Sequence, residues 1–329
     1  MRIGIITCRD LGRFFPSERE PCFTHDDQVL VDALRIRGHE VEPVVWGAPV
    51  RDLLDRSYER LVMRSPWDYG DTPGARAAFT TWLSALDGAG LTLANPVPVM
   101  LWNIDKHYLG DLQRAGVPTV PTTFLAEDRP VTRARLAALL RETGPLVLKP
   151  CISAAACDTF RMECPDDPLT DRFGRSVEDL AGLCRGRGFM VQPFIPEIRT
   201  RGEWSLVFID GHYSHCVLKR PPPGGWLVQD ELGGTVEWCD PTPDMIRVAD
   251  QAIGAVPEIL TARGHHGCRP LYGRVDILLH KDQPLVGELE LIEPELFFLQ
   301  RPPAPPEVFQ PAVEKFLTGI ERPGVGWKI

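Results

Sequence analysis

Apolar and polar positions alternate with two different periods along the first hundred residues. The runs "RIGIIT" (2–7), "HEVEPVVW" (39–46), "YERLVMRS" (58–65) and "LTLANP" (91–96) are short and rich in β-branched residues, which predicts strands. Between them, "DDQVLVDALRIRG" (26–38) and "ARAAFTTWLSALDGAG" (75–90) repeat apolar residues at helical spacing and end in glycine. Strand–helix alternation of this kind predicts βαβ units around a parallel sheet, an N-terminal α/β domain over residues 1–100. A second unit spans 101–195. It holds a helix across "MLWNIDKHYLGDLQRAG", a helix "TRARLAALLRETG", the strand "PLVLKP", a small-residue stretch "CISAAACDTFRM", a helix "SVEDLAGLCRG" and the strand "FMVQPFI". From 196 to 329 the pattern turns antiparallel. "EWSLVFIDGHYSHCVLKRP" predicts a hairpin about Asp210-Gly211, and "LYGRVDILLH", "KDQ" and "PLVGELELI" predict another. A Gly-rich loop and the helix "PDMIRVADQAIGAVPEILTARG" lie between them, and "PPEVFQPAVEKFLTG" predicts a last helix after a Pro-rich stretch. The fold class expected is α/β joined to α+β, with an antiparallel sheet over a cleft.

The second of these hairpins is where chemistry first intrudes. Alternation along a strand puts Arg274 and Asp276 on one face of "GRVDILLH", and Glu288 and Glu290 on one face of "VGELELI". If the two strands pair, three carboxylates converge. Two carboxylates about 5 Å apart repel by about 3 kcal/mol at an effective dielectric near 20. A divalent cation removes that conflict, and hard oxygen ligands suit Mg²⁺ held jointly with phosphates. The competing reading is an edge hairpin with a solvated acidic face, which the strongly aliphatic opposite face argues against.

Cations then matter. Only six of the thirty-six basic residues are lysines, so a lysine at the end of an apolar element is informative. Lys149 ends the strand "PLVLKP", Lys106 lies in a helix with an apolar stripe, and Lys219 ends "HCVLKRP". Each taken singly reads as a snorkelling surface residue; together with the acids they balance a metal–polyphosphate. The stretch "SAAACDT", beginning at Ser153, has the small residues a phosphate-covering loop needs. In "VQPFI", backbone groups at a strand end suit an adenine edge, with Phe194 or Ile195 packing on its face. "RSPWDY" offers Arg64 for a carboxylate, with Trp67, Asp68 and Tyr69 beside it, against the plain reading of a packed strand–turn. Glu293, past the strand's end, is a candidate for a substrate amine.

Composition narrows the class. A formal charge of −9 argues against a nucleic-acid partner, and no apolar run approaches the roughly 20 residues that span a bilayer. The N-terminus lacks the layout of a signal peptide, so the cytoplasm is expected. Nine cysteines without a C-x-x-C pair predict reduced, packed thiols.

The ordered set "NIDKHYL", "LVLKP", the small-residue loop, "MVQPFI", "GEWSLVFIDGHYSHCVLKRP", "GRVDILL" and "GELELIEP" resembles the ATP-grasp superfamily. Within it, "RSPWDY", "GEWSLVFIDG", "GGTVE" and "ELELIEPELFF" resemble the actinomycete subgroup that includes the cycloserine-forming ligase. The resemblance implies three subdomains, ATP between two antiparallel sheets, and a carboxylate activated as an acyl phosphate. It implies that Lys106, Lys149 and Ser153 hold phosphates, with Lys219 at the polyphosphate, and that Gln192, Phe194 and Ile195 bind adenine. Glu197 or Glu203 would take the ribose. Asp276, Glu288 and Glu290 would ligate Mg²⁺, two ions in all, and Arg274 and Lys219 would be the catalytic cations. The substrate implied is a small amino-acid-like molecule, joined to an amine or closed into a ring; a homodimer is left open. Two departures stand out: Glu290 replaces a usual Asn, and Ala154, Ala155 and Ala156 replace loop glycines. The alanines leave room for a nucleotide-binding sensor that does not turn over, and a metal-stabilised structural protein is a third reading.

Overall fold

The computed structural model describes residues 1–14, 22–125, 131–153, 156–167, 169, 177, 180–185, 187–229, 232–298 and 306–322. The expected Pro-rich stretch up to residue 305, Ala154, Ala155 and residues 176, 178, 179 and 186 of the helix expected over 176–186 lie outside them.

In chain order the first unit holds β1 (Arg2–Thr7), α1 (His25–Ile36), β2 (Glu40–Val45), α2 (Val50–Asp55), β3 (Arg60–Ser65), α3 (Pro73–Gly88) and β4 (Leu93–Ala94). The strands form a parallel sheet in the order β2-β1-β3-β4. There follow α4 (Val97–Asn103), α5 (Tyr108–Arg114), β5 (Thr123–Leu125), α6 (Arg133–Thr143), β6 (Leu146–Pro150), β7 (Phe160–Met162), α7 (Leu180–Cys184) and β8 (Phe189–Pro193). Here the sheet is antiparallel, β5-β8-β6-β7. The last part holds α8 (Ile198–Arg201), β9 (Glu203–Ile209), β10 (His212–Arg220), β11 (Thr235–Trp238), α9 (Pro243–Ala262), β12 (Tyr272–His280), β13 (Gln283–Glu290) and α10 (Pro306–Glu321). Its antiparallel sheet runs β11-β10-β9-β12-β13.

Helix α9 packs one face of this five-stranded sheet. Val275, Ile277 and Leu279 of β12 and Leu206 and Phe208 of β9 share a core with Met245, Val248, Ala252 and Val256 of α9. The other residues of the same strands, Arg274, Asp276 and Ser205 among them, therefore look the opposite way. In β13 the register slips by one at Gly287, so Val286 and Leu289 both reach the α9 core while Glu288 still stands opposite Asp276. The hairpin turn is the two-residue Lys281-Asp282, both left-handed at φ 50° and 63°, and not the three residues "KDQ". The expected Asp210-Gly211 turn is present. Strands β7 and β11 and helices α2 and α8 have no clear sequence pattern.

One expectation fails outright. The helix expected through residues 100–116 breaks into α4 and α5, and Lys106 sits in the turn between them. Its backbone N–H donates to the Cys151 carbonyl (2.8 Å), while the Asp105 carboxylate accepts from the His107 N–H (3.0 Å). Those bonds replace the intrahelical ladder at the break. Among the described residues no helix is long and apolar enough to cross a membrane.

Candidate active site

Four adjacent strands present one charged face. Pairing sets Lys219 opposite Glu203, Ser205 opposite Asp276, Asp276 opposite Glu288, and Arg274 opposite Glu290. The side chains meet accordingly. Lys219 Nζ lies 2.6 Å from Glu203 and 3.3 Å from Asp276. Arg274 grips Asp276 in a two-pronged contact (2.9 and 3.0 Å) and reaches Glu290 at 2.5 Å. Ser205 Oγ donates to Asp276 Oδ1 at 2.6 Å.

The edge that carries Glu288 and Glu290 is not solvated. Tyr108 Oη accepts from Leu289 N–H, Asn103 bonds both Leu289 O and Leu291 N–H, and residues 118–120 pair with Val286. The segment around α4 and α5 thus covers the outer edge of β13, which removes the exposed-edge alternative and fixes the two acids.

The second wall comes from the β5–β8 sheet. Leu146 and Leu148 point into its own core, which leaves Lys149 on the cleft side with Met190 beside it. Among the described residues Lys149 has no ion-pair partner within 4.0 Å, whereas Lys106 Nζ meets Glu288 (3.1 Å) and the Ser153 carbonyl (2.7 Å). Burial draws the Lys149 pKa below the usual lysine value, and Glu288 only partly offsets that. For Lys106 burial pulls the same way, but Glu288 together with Glu290 and Glu293 outweighs it and the value rises.

The acids separate likewise. Burial alone would push the Asp276 carboxyl up; Arg274 and Lys219 overcome it and hold the group well below the usual carboxylate range. Glu288 is also held down against burial, by Lys106 and Lys149. Burial pushes Glu290 up to about 8 against the pull of Arg274, and Glu293 up to about 7 against its hydrogen bond from Tyr69.

This donor set fits Mg²⁺ in kind: three carboxylates on two paired strands, ringed by cations. Their oxygens are not gathered round one point among the described residues. Arg274 stands between Asp276 and Glu290, and Lys106 holds Glu288. Metal binding there therefore requires those cations to release carboxylates.

The other expected residues are distributed unevenly. Glu203 shares the charged face, but Glu197 accepts from the Lys281 N–H at 3.0 Å and caps the far hairpin turn. Five residues of strand put that turn roughly 17 Å from Asp276. The Gln192 side chain is spent on Thr122 (2.9 Å), and the Phe194 N–H on Pro145 (2.7 Å). The Phe194 ring carries the Arg161 and Arg199 guanidiniums at 4.9 and 5.3 Å, and Ile195 is buried. Tyr69 donates to Glu293 at 2.8 Å and stacks on Phe79; Asp68 accepts from Trp46; Trp67 sits edge-on to Phe14.

Arg64 does not serve as expected. It is 2% exposed, bonded to Asp27 (2.7 Å) and the Pro294 carbonyl (3.0 Å), with Asp26 3.6 Å away. Asp26 in turn accepts from Leu296 and Phe298 N–H. This buried ionic knot pins the segment after β13 to the N-terminal sheet, so the guanidinium is committed within the fold. Arg64→Met is expected to cost about 3–5 kcal/mol of stability by stranding two buried carboxylates. Urea unfolding measures it; an unchanged midpoint would refute the knot's structural role.

Three sheets with this charged cleft between the two antiparallel ones match the architecture expected of the ATP-grasp fold. Comparisons agree. A family model described as D-cycloserine synthetase DcsG, N-terminal domain, matches residues 3–95. The cycloserine biosynthesis protein DcsG of Streptomyces lavendulae is 32% identical over 281 residues, 83% of this chain and 87% of its own. The chain belongs to the DcsG family of ATP-grasp enzymes. The crystal structure of D-cycloserine synthetase DcsG matches at TM-score 0.69 and 22% identity, covering 97% of this chain and 98% of its own. That of D-alanine–D-alanine ligase from Bacillus anthracis matches at 0.59 and 15%, covering 97% and 96%. The ATP-grasp ligase PsnB, complexed with minimal precursor, Mg and ADP, matches at 0.56 and 14%, covering 97% and 98%.

Proposed function

We propose that the protein is a cytoplasmic, ATP-dependent carboxylate–amine ligase or cyclo-ligase of specialised biosynthesis, acting on a small amino-acid-like substrate. One observation supports this above the rest: Lys149, a cleft-facing lysine without an ion-pair partner among the described residues, faces a sheet whose acids exceed its cations. A polyphosphate answers the first and divalent cations the second.

In the proposed reaction a substrate carboxylate oxygen attacks the γ-phosphorus of ATP and ADP leaves. The amine nitrogen then attacks the acyl carbon and phosphate departs. Lys106, Lys149 and Lys219 hold phosphate oxygens, and phosphoryl transfer needs little beyond such positioning and neutralisation. The Ser153 backbone, whose carbonyl accepts from Lys106, is assigned to the same phosphates in this proposal. Arg274, released from Asp276 or Glu290, steadies the acyl phosphate and the tetrahedral oxyanion. Asp276, Glu288 and Glu290 would hold Mg²⁺, two ions in this proposal, which would supply further charge neutralisation. Glu203 receives the ribose, and backbone groups near Gln192 and Ile195 read the adenine. Glu293, oriented by Tyr69, receives the substrate amine, while Trp67 and Asp68 shape the pocket.

The test is ADP and phosphate release while amino acids are screened as substrates. Release with at least one of them is expected. ATP binding without release for any of them would sink the ligase in favour of a nucleotide sensor.

A separate prediction concerns Glu293. Its folded pKa, near 7, stands above the unfolded value of about 4.3. Between those values the folded state keeps a proton that the unfolded chain has lost, so stability falls as pH rises through the window. Glu293→Gln removes that slope. Urea midpoints from pH 5 to 8 are expected to decline more in the parent than in the variant; parallel declines would contradict it.

A further inference from the structure

Beside the two phosphate-facing lysines lies a different set of ligands. Asp105, His107 and Cys151 each offer an atom, and all three atoms lie within 4.8 Å of one another. They come from the two segments that carry the lysines: Asp105 and His107 flank Lys106, and Cys151 follows Lys149 by two residues. The Lys106 N–H bond to the Cys151 carbonyl joins the segments' backbones. Asp105 Oδ1 lies 2.6 Å from His107 Nδ1, and the imidazole is stacked on Phe124 at 4.2 Å, which sets its orientation. Cys151 is 2% exposed, while Asp105 is half-buried and His107 exposed. The arrangement is thus a buried sulfur floor with an open carboxylate–imidazole mouth.

We propose that Asp105, His107 and Cys151 form a site for a zinc-class divalent ion, with a fourth position open to water or another ligand. Thiolate, imidazole and carboxylate are the donors of three-ligand zinc sites. The hard oxygen preference of Mg²⁺ keeps it on the acids of β12 and β13. Ligands at zinc bond lengths stand about 3.3–3.8 Å apart in a tetrahedron. No pair of these atoms therefore needs to close by more than about 1.5 Å, within reach of rotations of Asp105 and the exposed His107. On binding, the thiol proton leaves to solvent, and the neutral imidazole exchanges its contact with Asp105 for the ion. An ion here ties the Lys106 turn to the end of β6 and so restrains both lysine-bearing segments. The site does not depend on the ligase reading; only its effect on nucleotide binding would.

The test is titration of the full-length chain with Co²⁺ and Zn²⁺ under reducing conditions, with stoichiometry by calorimetry. One ion per chain is expected, with a thiolate-to-cobalt charge-transfer band that Zn²⁺ bleaches. Cys151→Ser should abolish the band, and His107→Ala, altering an exposed residue, should weaken Zn²⁺ binding at least tenfold. Glu288→Gln should leave both signals in place, which separates this site from the acid cluster. Circular dichroism and unfolding midpoints establish that each variant is folded. Absence of the band in the parent, or its survival in Cys151→Ser, would overturn the proposal. So would equal Zn²⁺ affinity in His107→Ala.

Discussion

An Asp276→Asn enzyme is expected to form ADP about a thousandfold more slowly, and to lose about 3–5 kcal/mol of stability at neutral pH. Both losses follow from its position. The carboxylate is buried and takes Ser205, both prongs of Arg274, and Lys219. An amide in its place turns an acceptor oxygen into a donor against two cations, leaving Arg274 and Lys219 with uncompensated charge. It also removes a proposed metal ligand from the middle of the site. The pH dependence has a defined sign. Asp276 titrates below its unfolded value of about 3.9, so its contribution is present above that value and is lost as pH falls towards the folded one. The parent should lose part of its advantage over Asp276→Asn below about pH 4, as read from unfolding midpoints. A variant that turns over normally would remove Asp276 from the mechanism. One inactive but equally stable would mean that Arg274 and Lys219 find other partners.

Much of this site is legible in the sequence because a strand's alternation is a rigid rule. Arg274, Asp276, Glu288 and Glu290 fall on one face by residue spacing alone, and the aliphatic residues between them mark the other. What alternation does not encode is who stands opposite from a different part of the chain. Ser205 and Glu203 join the cluster only because β9 lies between β10 and β12, an order that local pattern does not fix. Asn103 and Tyr108, which cover the β13 edge, look like ordinary polar residues in an apolar helix. Their placement among apolar neighbours is the one signal the sequence offers.

Arg64 and Lys106, which depart from expectation, share another cause. Arg64 lies near the end of β3, just before an aromatic loop, yet Asp26 and Asp27 at the start of α1 neutralise it. Nothing local to residues 60–69 announces that pairing. Around Lys106 the apolar spacing of a helix continues without interruption. The break comes from a backbone bond to Cys151, forty-five residues on by sequence number. The alanine-bearing loop is partly described: Ala156 has a left-handed φ of 51°, a conformation glycine adopts more cheaply. At Ala156 the departure from glycine is thus carried as local backbone cost.

Lys149→Met is the variant that should separate binding from folding most cleanly. The ammonium faces the cleft, has no ion-pair partner among the described residues, and is drawn down in pKa by burial. Replacing it by an apolar chain of similar length removes a desolvated charge at no loss of a salt bridge, so stability is expected to hold or rise by about 1 kcal/mol. Nucleotide triphosphate affinity should fall by at least tenfold, because one phosphate contact is lost where water is scarce. Lys106→Met provides the contrast. It strands Glu288 and cuts the bond to the Ser153 carbonyl, so affinity and stability should fall together. Calorimetric ATP titrations paired with urea unfolding distinguish the two. If Lys149→Met binds ATP as tightly as the parent, the β5–β8 wall is not the phosphate wall. If it unfolds at markedly lower urea, Lys149 has a structural partner and its charge is not held in reserve for a ligand.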